Sequence, residues 1–174
     1  MLRLGKSMRP PPRMAAMHVL IATTGVLSPE PVVEFTRQLL GQHGRVTVIT
    51  VIEVPRQFLD ELEGPKATTA EDGTSDASVD QYLRERGKRL VESVEHALEG
   101  ARIPYDVVYV EGTDPAAKIS QAAGDLDADI VVLGATRQIF NQDAWESVSA
   151  RVMMESGRPV LVVPAPPDDS DDPT

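Results

Sequence analysis

The stretch that decides the fold is residues 128–164, ADIVVLGATRQIFNQDAWESVSARVMMESGRPVLVVP. Its opening, Ile130 to Gly134, is a nearly unbroken aliphatic run, as a strand covered on both faces requires. SVSARVMMESG (147–157) has the composition of a helix stopped by glycine, and RPVLVVP (158–164) is a short strand with a proline at each end, which suits a sheet edge. A strand, a turn and a helix in that order form the place where α/β proteins hold phosphates. Such turns are usually rich in glycine. This one keeps only Gly134, and Arg137 and Glu146 stand where small residues are expected.

Upstream, the same alternation repeats. MHVLIAT (17–23) reads as the first strand, and Ser28 followed by Pro29 reads as the N-cap and first turn of a helix in which Val32, Phe35, Thr36, Leu39 and Leu40 recur at helical steps. RVTVITVIEVP (45–55) is β-branched almost throughout, the mark of a strand in a parallel sheet. Residues 55–78 have turn formers and acids without periodicity and are read as a mobile acidic loop. A second helix follows from about Asp80, with Leu83, Leu90, Val91, Val94 and Leu98 on one face and Gly100 as its C′ residue. YDVVYVEG (105–112) is the third strand, Asp114 and Pro115 start the third helix, and the fourth helix runs from near Ala144 to Ser156. Five strands joined by about four helices predict a doubly wound open parallel α/β sheet with its ligand site at the carboxyl ends of the strands.

The chain has 174 residues, enough for one domain with a core. We divide it into a basic extension (1–16), a single domain (17–164) and an acidic tail (165–174). Cysteine is absent, which excludes disulfides and thiolate chemistry. The formal charge is −10. The four cations Arg3, Lys6, Arg9 and Arg13 and the four tail acids Asp168, Asp169, Asp171 and Asp172 cancel, so the body is as acidic as the whole. No nucleic-acid surface is expected from this balance. No apolar run reaches the ~20 residues of a membrane span, and the basic start lacks an apolar centre, so the reading is cytoplasmic with no membrane partner.

IATTG (21–25), EGTDPAAKISQAAGDLDADIVVLGA (111–135) and ESVSARVMMESGRPVLVVP (146–164) together resemble the universal stress protein family across about residues 17–164. The resemblance implies an adenine nucleotide alpha hydrolase-like sheet of strand order 3-2-1-4-5 and a homodimer formed through the last strand (160–163). It also implies ATP or AMP as ligand. The cleft would use Ala22, Thr23, a backbone group near Ile52, Gly134, Arg137, Ser147 and Val148. Family members that bind ATP carry Gly-x-x-Gly, a spacer, then Gly-Ser or Gly-Thr, with an aspartate after the first strand. Here Gly134 and Ser147 match, Arg137 and Glu146 replace the other glycines, Thr24 replaces the aspartate, and the spacer is one residue short.

Glycine in such a turn admits positive φ and lets N–H groups approach the oxygens; Arg137 and Glu146 remove that freedom, and a carboxylate adds repulsion. Residues 143–146, DAWE, also have capping-box spacing, which would put two acids at the positive end of the helix. Arg137 has two readings, a phosphate ligand or a surface partner of Asp143 or Glu146. Trp145 has two as well, a stacking surface or a cover on the helix start. His18, His43 and His96 share no ligand spacing and are read as solvated. No nucleophile elbow occurs. The reading is a non-enzymatic stress-response and interaction protein with weak or no ATP binding and an unidentified protein partner; the alternative is an ATP- or AMP-binding switch.

Overall fold

The structure is a computed structural model that describes residues 16–25, 27–41, 43–57, 73–134 and 147–164. Its elements are β1 (His18–Ala22), α1 (Pro29–Leu40), β2 (Arg45–Ile52), α2 (Gly73–Gly100), β3 (Tyr105–Glu111), α3 (Pro115–Asp125), β4 (Ile130–Gly134), α4 (Val148–Glu155) and β5 (Val160–Val163). The strands form one parallel sheet, as the sequence pattern predicts, in the order β3-β2-β1-β4-β5 that the family resemblance implies.

β1 is central, and all five of its residues are buried. Alternation along it divides the core into two layers. Val19 and Ile21 join Val46, Val48 and Val132 beneath Val32 of α1 and Val91, Val94 and Leu98 of α2. Leu20 and Ala22 join Ile49, Val131 and Leu133 on the other face beneath Ala116, Ile119 and Ala123 of α3 and Val152 of α4. Each fully buried Val, Leu or Ile stabilises by about 1.5–3 kcal/mol. Small side chains on α3 let α4 pack close beside it. The winding reverses between β1 and β4, whose tips lie side by side with Ala22 opposite Leu133.

Four local readings differ. α2 starts at Gly73, inside the stretch read as loop. α4 starts at Val148, because Ser147 is extended (φ −63, ψ 147) and its Oγ accepts the Ala150 N–H. A helix from Ala144 could not pass through Ser147 in that conformation. The end of α2 is not made by Gly100: Ile103 N–H reaches Leu98 O and Arg102 N–H reaches Glu99 O, a Schellman motif with Arg102 in the left-handed region (φ 57). His18 is not solvated but 3% exposed. Central placement of β1 forces this, and both ring nitrogens are engaged, Nδ1 with Leu126 O at 3.0 Å and Nε2 with Thr47 Oγ1 at 2.9 Å.

Candidate functional site

Where the winding reverses, the tips of β1 and β4 part and leave a cavity. Thr23 extends β1 by one rung, its N–H bonded to Ile49 O at 3.0 Å. Its hydroxyl oxygen then accepts the Gly25 N–H at 3.0 Å, and Gly25 turns the chain at φ 90, a conformation that favours glycine. Ala22, Thr23 and Thr24 form one side of the opening and Leu133 and Gly134 the other. Ile49 and Val51 of β2 form the floor.

The walls are the first turns of two helices. Pro115 and Ile119 of α3 face Val148 and Ser149 of α4 across the cavity. Asp114 caps α3 by accepting the Ala117 N–H at 3.2 Å, and Ser147 caps α4. Ser149 ties α4 to the sheet, its hydroxyl donating to Gly134 O at 3.1 Å. Arg151 ties the two helices together, giving both NH groups to Asp114 at 2.8 and 2.9 Å and its Nε to Glu155 at 2.9 Å. The Arg151 guanidinium holds the Asp114 carboxyl below the usual carboxylate range, and Asp114 in turn raises Arg151.

Gly134 contributes room. A Cβ there would stand 3.0 Å from Leu27 Cδ1 and 3.6 Å from Leu27 Cα, so any larger residue would press Leu27 or fill the mouth.

The described lining carries no charged side chain. Its polar atoms are the hydroxyls of Thr23, Thr24 and Ser149 and the backbone at the start of α4. The first N–H groups of a helix have no intrahelical acceptor and attract anions. Among the described lining residues the starts of α3 and α4 supply that field, and Arg151 nearby is committed to two carboxylates. Among the described residues no group of three or more acids and histidines is arranged to hold a metal ion. No helix among them is long and apolar enough to cross a membrane.

Of the residues singled out in the sequence, Ala22, Thr23, Gly134 and Val148 come together in this cavity, with Ser147 adjoining as the helix cap. Ile52 does not join them. It lies three residues beyond Ile49, packs with Val54 and Leu83, and its carbonyl is taken by the Gly112 N–H at 3.1 Å. Arg137, Trp145 and the 143–146 box lie outside the described residues. Ile49, Pro115, Ile119, Leu133 and Ser149 also line the cavity, beyond the residues the sequence points to. The switch-point rule places the tips of β1 and β4, and extending it to the facing helix starts would have found Pro115 and Ser149.

The universal stress protein family model matches residues 16–164. No curated protein matches the sequence. Among solved structures, the hypothetical protein MJ0577 shares the fold with a TM-score of 0.60 at 18% identity, over 88% of this chain and 99% of that one. A universal stress protein family protein from Arabidopsis thaliana, solved with AMP bound, gives 0.53 at 17% identity over 90% and 99%. A universal stress protein in complex with cAMP gives 0.52 at 20% identity over 87% and 99%. Identities this low carry the fold alone, but the family match spans strand, cleft and final strand together: the chain belongs to the universal stress protein family.

Proposed function

We infer that this protein is a non-enzymatic stress-response domain whose cleft accepts the nucleoside part of an adenine nucleotide and grips a triphosphate weakly. The observation that carries this reading is that the described residues lining the cavity carry no charged side chain. An apolar floor of Ile49, Val51 and Leu133 suits a purine ring, while tight triphosphate binding needs cations or several free backbone donors. Thr24 supplies no carboxylate to hold a metal ion beside the phosphates. In the sequence, Arg137 and Glu146 replace two glycines of the family's phosphate turn.

Interaction then becomes the output. β5 pairs with β4 alone among the described strands, which leaves an edge that a second copy could extend through residues 160–163 to form a homodimer. The acidic balance and the lack of a spanning helix among the described residues support a cytoplasmic setting with a protein partner and no nucleic acid.

The second reading, an ATP- or AMP-binding switch, draws support from the relatives solved with AMP and cAMP. Calorimetric titration with adenosine, AMP, cAMP and MgATP separates the two. Binding of all four with similar millimolar affinity supports the weak site, and tight binding of AMP or cAMP alone supports the switch. ATP held below about 1 μM, equivalent to about 8 kcal/mol, contradicts the weak site and supports the switch.

A further inference from the structure

Within α2, Arg84, Arg86, Lys88 and Arg89 stand inside six residues, interrupted by Glu85 and Gly87. Four cations less one acid leave this segment at +3 in a chain of −10. All four cations are exposed, and none has an ion-pair partner among the described residues. The Glu85 carboxylate is engaged by the Gln81 amide at 2.9 Å. Gly87 faces inward, where a Cβ would collide with the Tyr109 ring, so the cations occupy the outer side of the helix. Residues 82, 86 and 89 share one face. Tyr82, Arg86 and Arg89, with Glu85, line a shallow notch there.

Exposed cations of this density in an acidic protein call for an anion, and the length of the patch limits its kind. Residues 84–89 rise about 8 Å along the helix, about one Debye length at physiological salt. A long polyanion would overrun it onto acidic surface and be repelled, whereas a few carboxylates in a row match it. Such a row is present in every molecule: Asp168, Asp169, Asp171 and Asp172 place four acids in five residues.

Reach permits the contact. Pro164 follows the C-terminal end of β5, and Leu83 packs on Ile52 and Val54 at the C-terminal end of β2, so both lie at the same end of the parallel sheet. Four strand spacings separate β5 from β3, about 19 Å. Extended, the four residues 165–168 span about 14 Å and the eight residues 165–172 about 27 Å, so the end of the segment, Asp171 and Asp172, is the part that reaches α2. We propose that the outer face of α2 around Arg86 and Arg89 docks the end of this chain's acidic segment, Asp171 and Asp172. Single exposed pairs are weak, so the contact depends on several charges acting together on a tethered segment.

The test uses a fluorescent peptide, APPDDSDDPT, and the full chain with Asp168, Asp169, Asp171 and Asp172 each changed to Asn. In about 20 mM salt, where screening is slight, the neutralised chain should bind the peptide about tenfold more tightly than the unaltered chain, whose own segment competes. Adding Arg86→Glu and Arg89→Glu to the neutralised chain should abolish binding, while adding Arg37→Glu on α1 should not. Equal binding by the two chains, no binding by either, or binding that survives the α2 reversals would overturn the proposal. Tighter binding of a ten-residue oligothymidylate than of the peptide would overturn it in favour of nucleic acid.

Discussion

Ser149 donates its hydroxyl hydrogen to the carbonyl oxygen of Gly134 at 3.1 Å, fastening the first turn of α4 to the tip of β4. The bond sets one wall of the cleft against its floor. Ser149 is 3% exposed, so Ser149→Ala leaves the Gly134 carbonyl short of a partner in a confined place. Loss of about 1–2 kcal/mol in urea unfolding is expected. Ser147→Ala, which removes the cap itself, should cost about 1 kcal/mol. No change in either variant would mean that α4 is held by packing alone.

Gly87 gives a case in which two effects oppose. Alanine improves helix propensity by about 1 kcal/mol. Yet a Cβ at Gly87 would collide with Cδ1 and Cε1 of Tyr109, atoms of the ring body that cannot swing aside as a chain end can. Forcing α2 away from β3 costs typically 1–3 kcal/mol, so the clash wins. Gly87→Ala should lower the unfolding midpoint, and a rise would show that Tyr109 repacks freely.

Arg102 holds φ 57 at the C′ position of α2 without the freedom of glycine. A left-handed conformation costs an ordinary residue about 1–2 kcal/mol, part of which Gly recovers while adding entropy to the unfolded chain. Arg102→Gly is therefore expected to stabilise by roughly 0.5–1 kcal/mol in denaturant unfolding. Destabilisation would show that the Arg102 side chain makes a contribution of its own.

His18 supplies the pH dependence. Burial pushes it below its ordinary value of 6.5, with Arg45 acting in the same direction and the Leu126 carbonyl, Asp129 and Asp106 opposing. The unfolded chain therefore takes up a proton at a higher pH than the folded one. Stability is full above the unfolded value, falls as pH drops through it, and levels off below the folded value. Between pH 7 and about pH 5.5 the loss should approach at most about 1.4 kcal/mol per unit. His18→Gln should flatten that slope. An unchanged slope would assign it to other groups.

The architecture was legible because each layer leaves a plain mark. Ile130–Leu133 is an unbroken aliphatic run and Val46–Ile52 is almost wholly β-branched, as suits interior parallel strands, and Pro29 and Pro115 mark helix starts. Helix ends were less legible. Gly100 looked like a stop, but the turn is closed by Arg102, a residue with no intrinsic claim to that conformation. The burial of His18 is illegible for a related reason: it depends on strand order, and no local pattern shows that its ring will lie between Thr47 and Leu126. In the cleft, Ala22, Thr23 and Gly134 follow from the switch point, but Ile119 and Val51 reach it through packing across the sheet.

The central claim is that the cleft receives a nucleoside but lacks the backbone freedom to hold a triphosphate. Thermal melting with and without MgATP, on the unaltered chain and on the double variant Arg137→Gly, Glu146→Gly, tests it most directly. The unaltered chain should show little shift at millimolar MgATP. Restoring both glycines should produce one, approaching about 2.7 kcal/mol of added stability if the concentration reaches a hundred times the dissociation constant. A large shift in the unaltered chain that the two glycines fail to increase would contradict the claim.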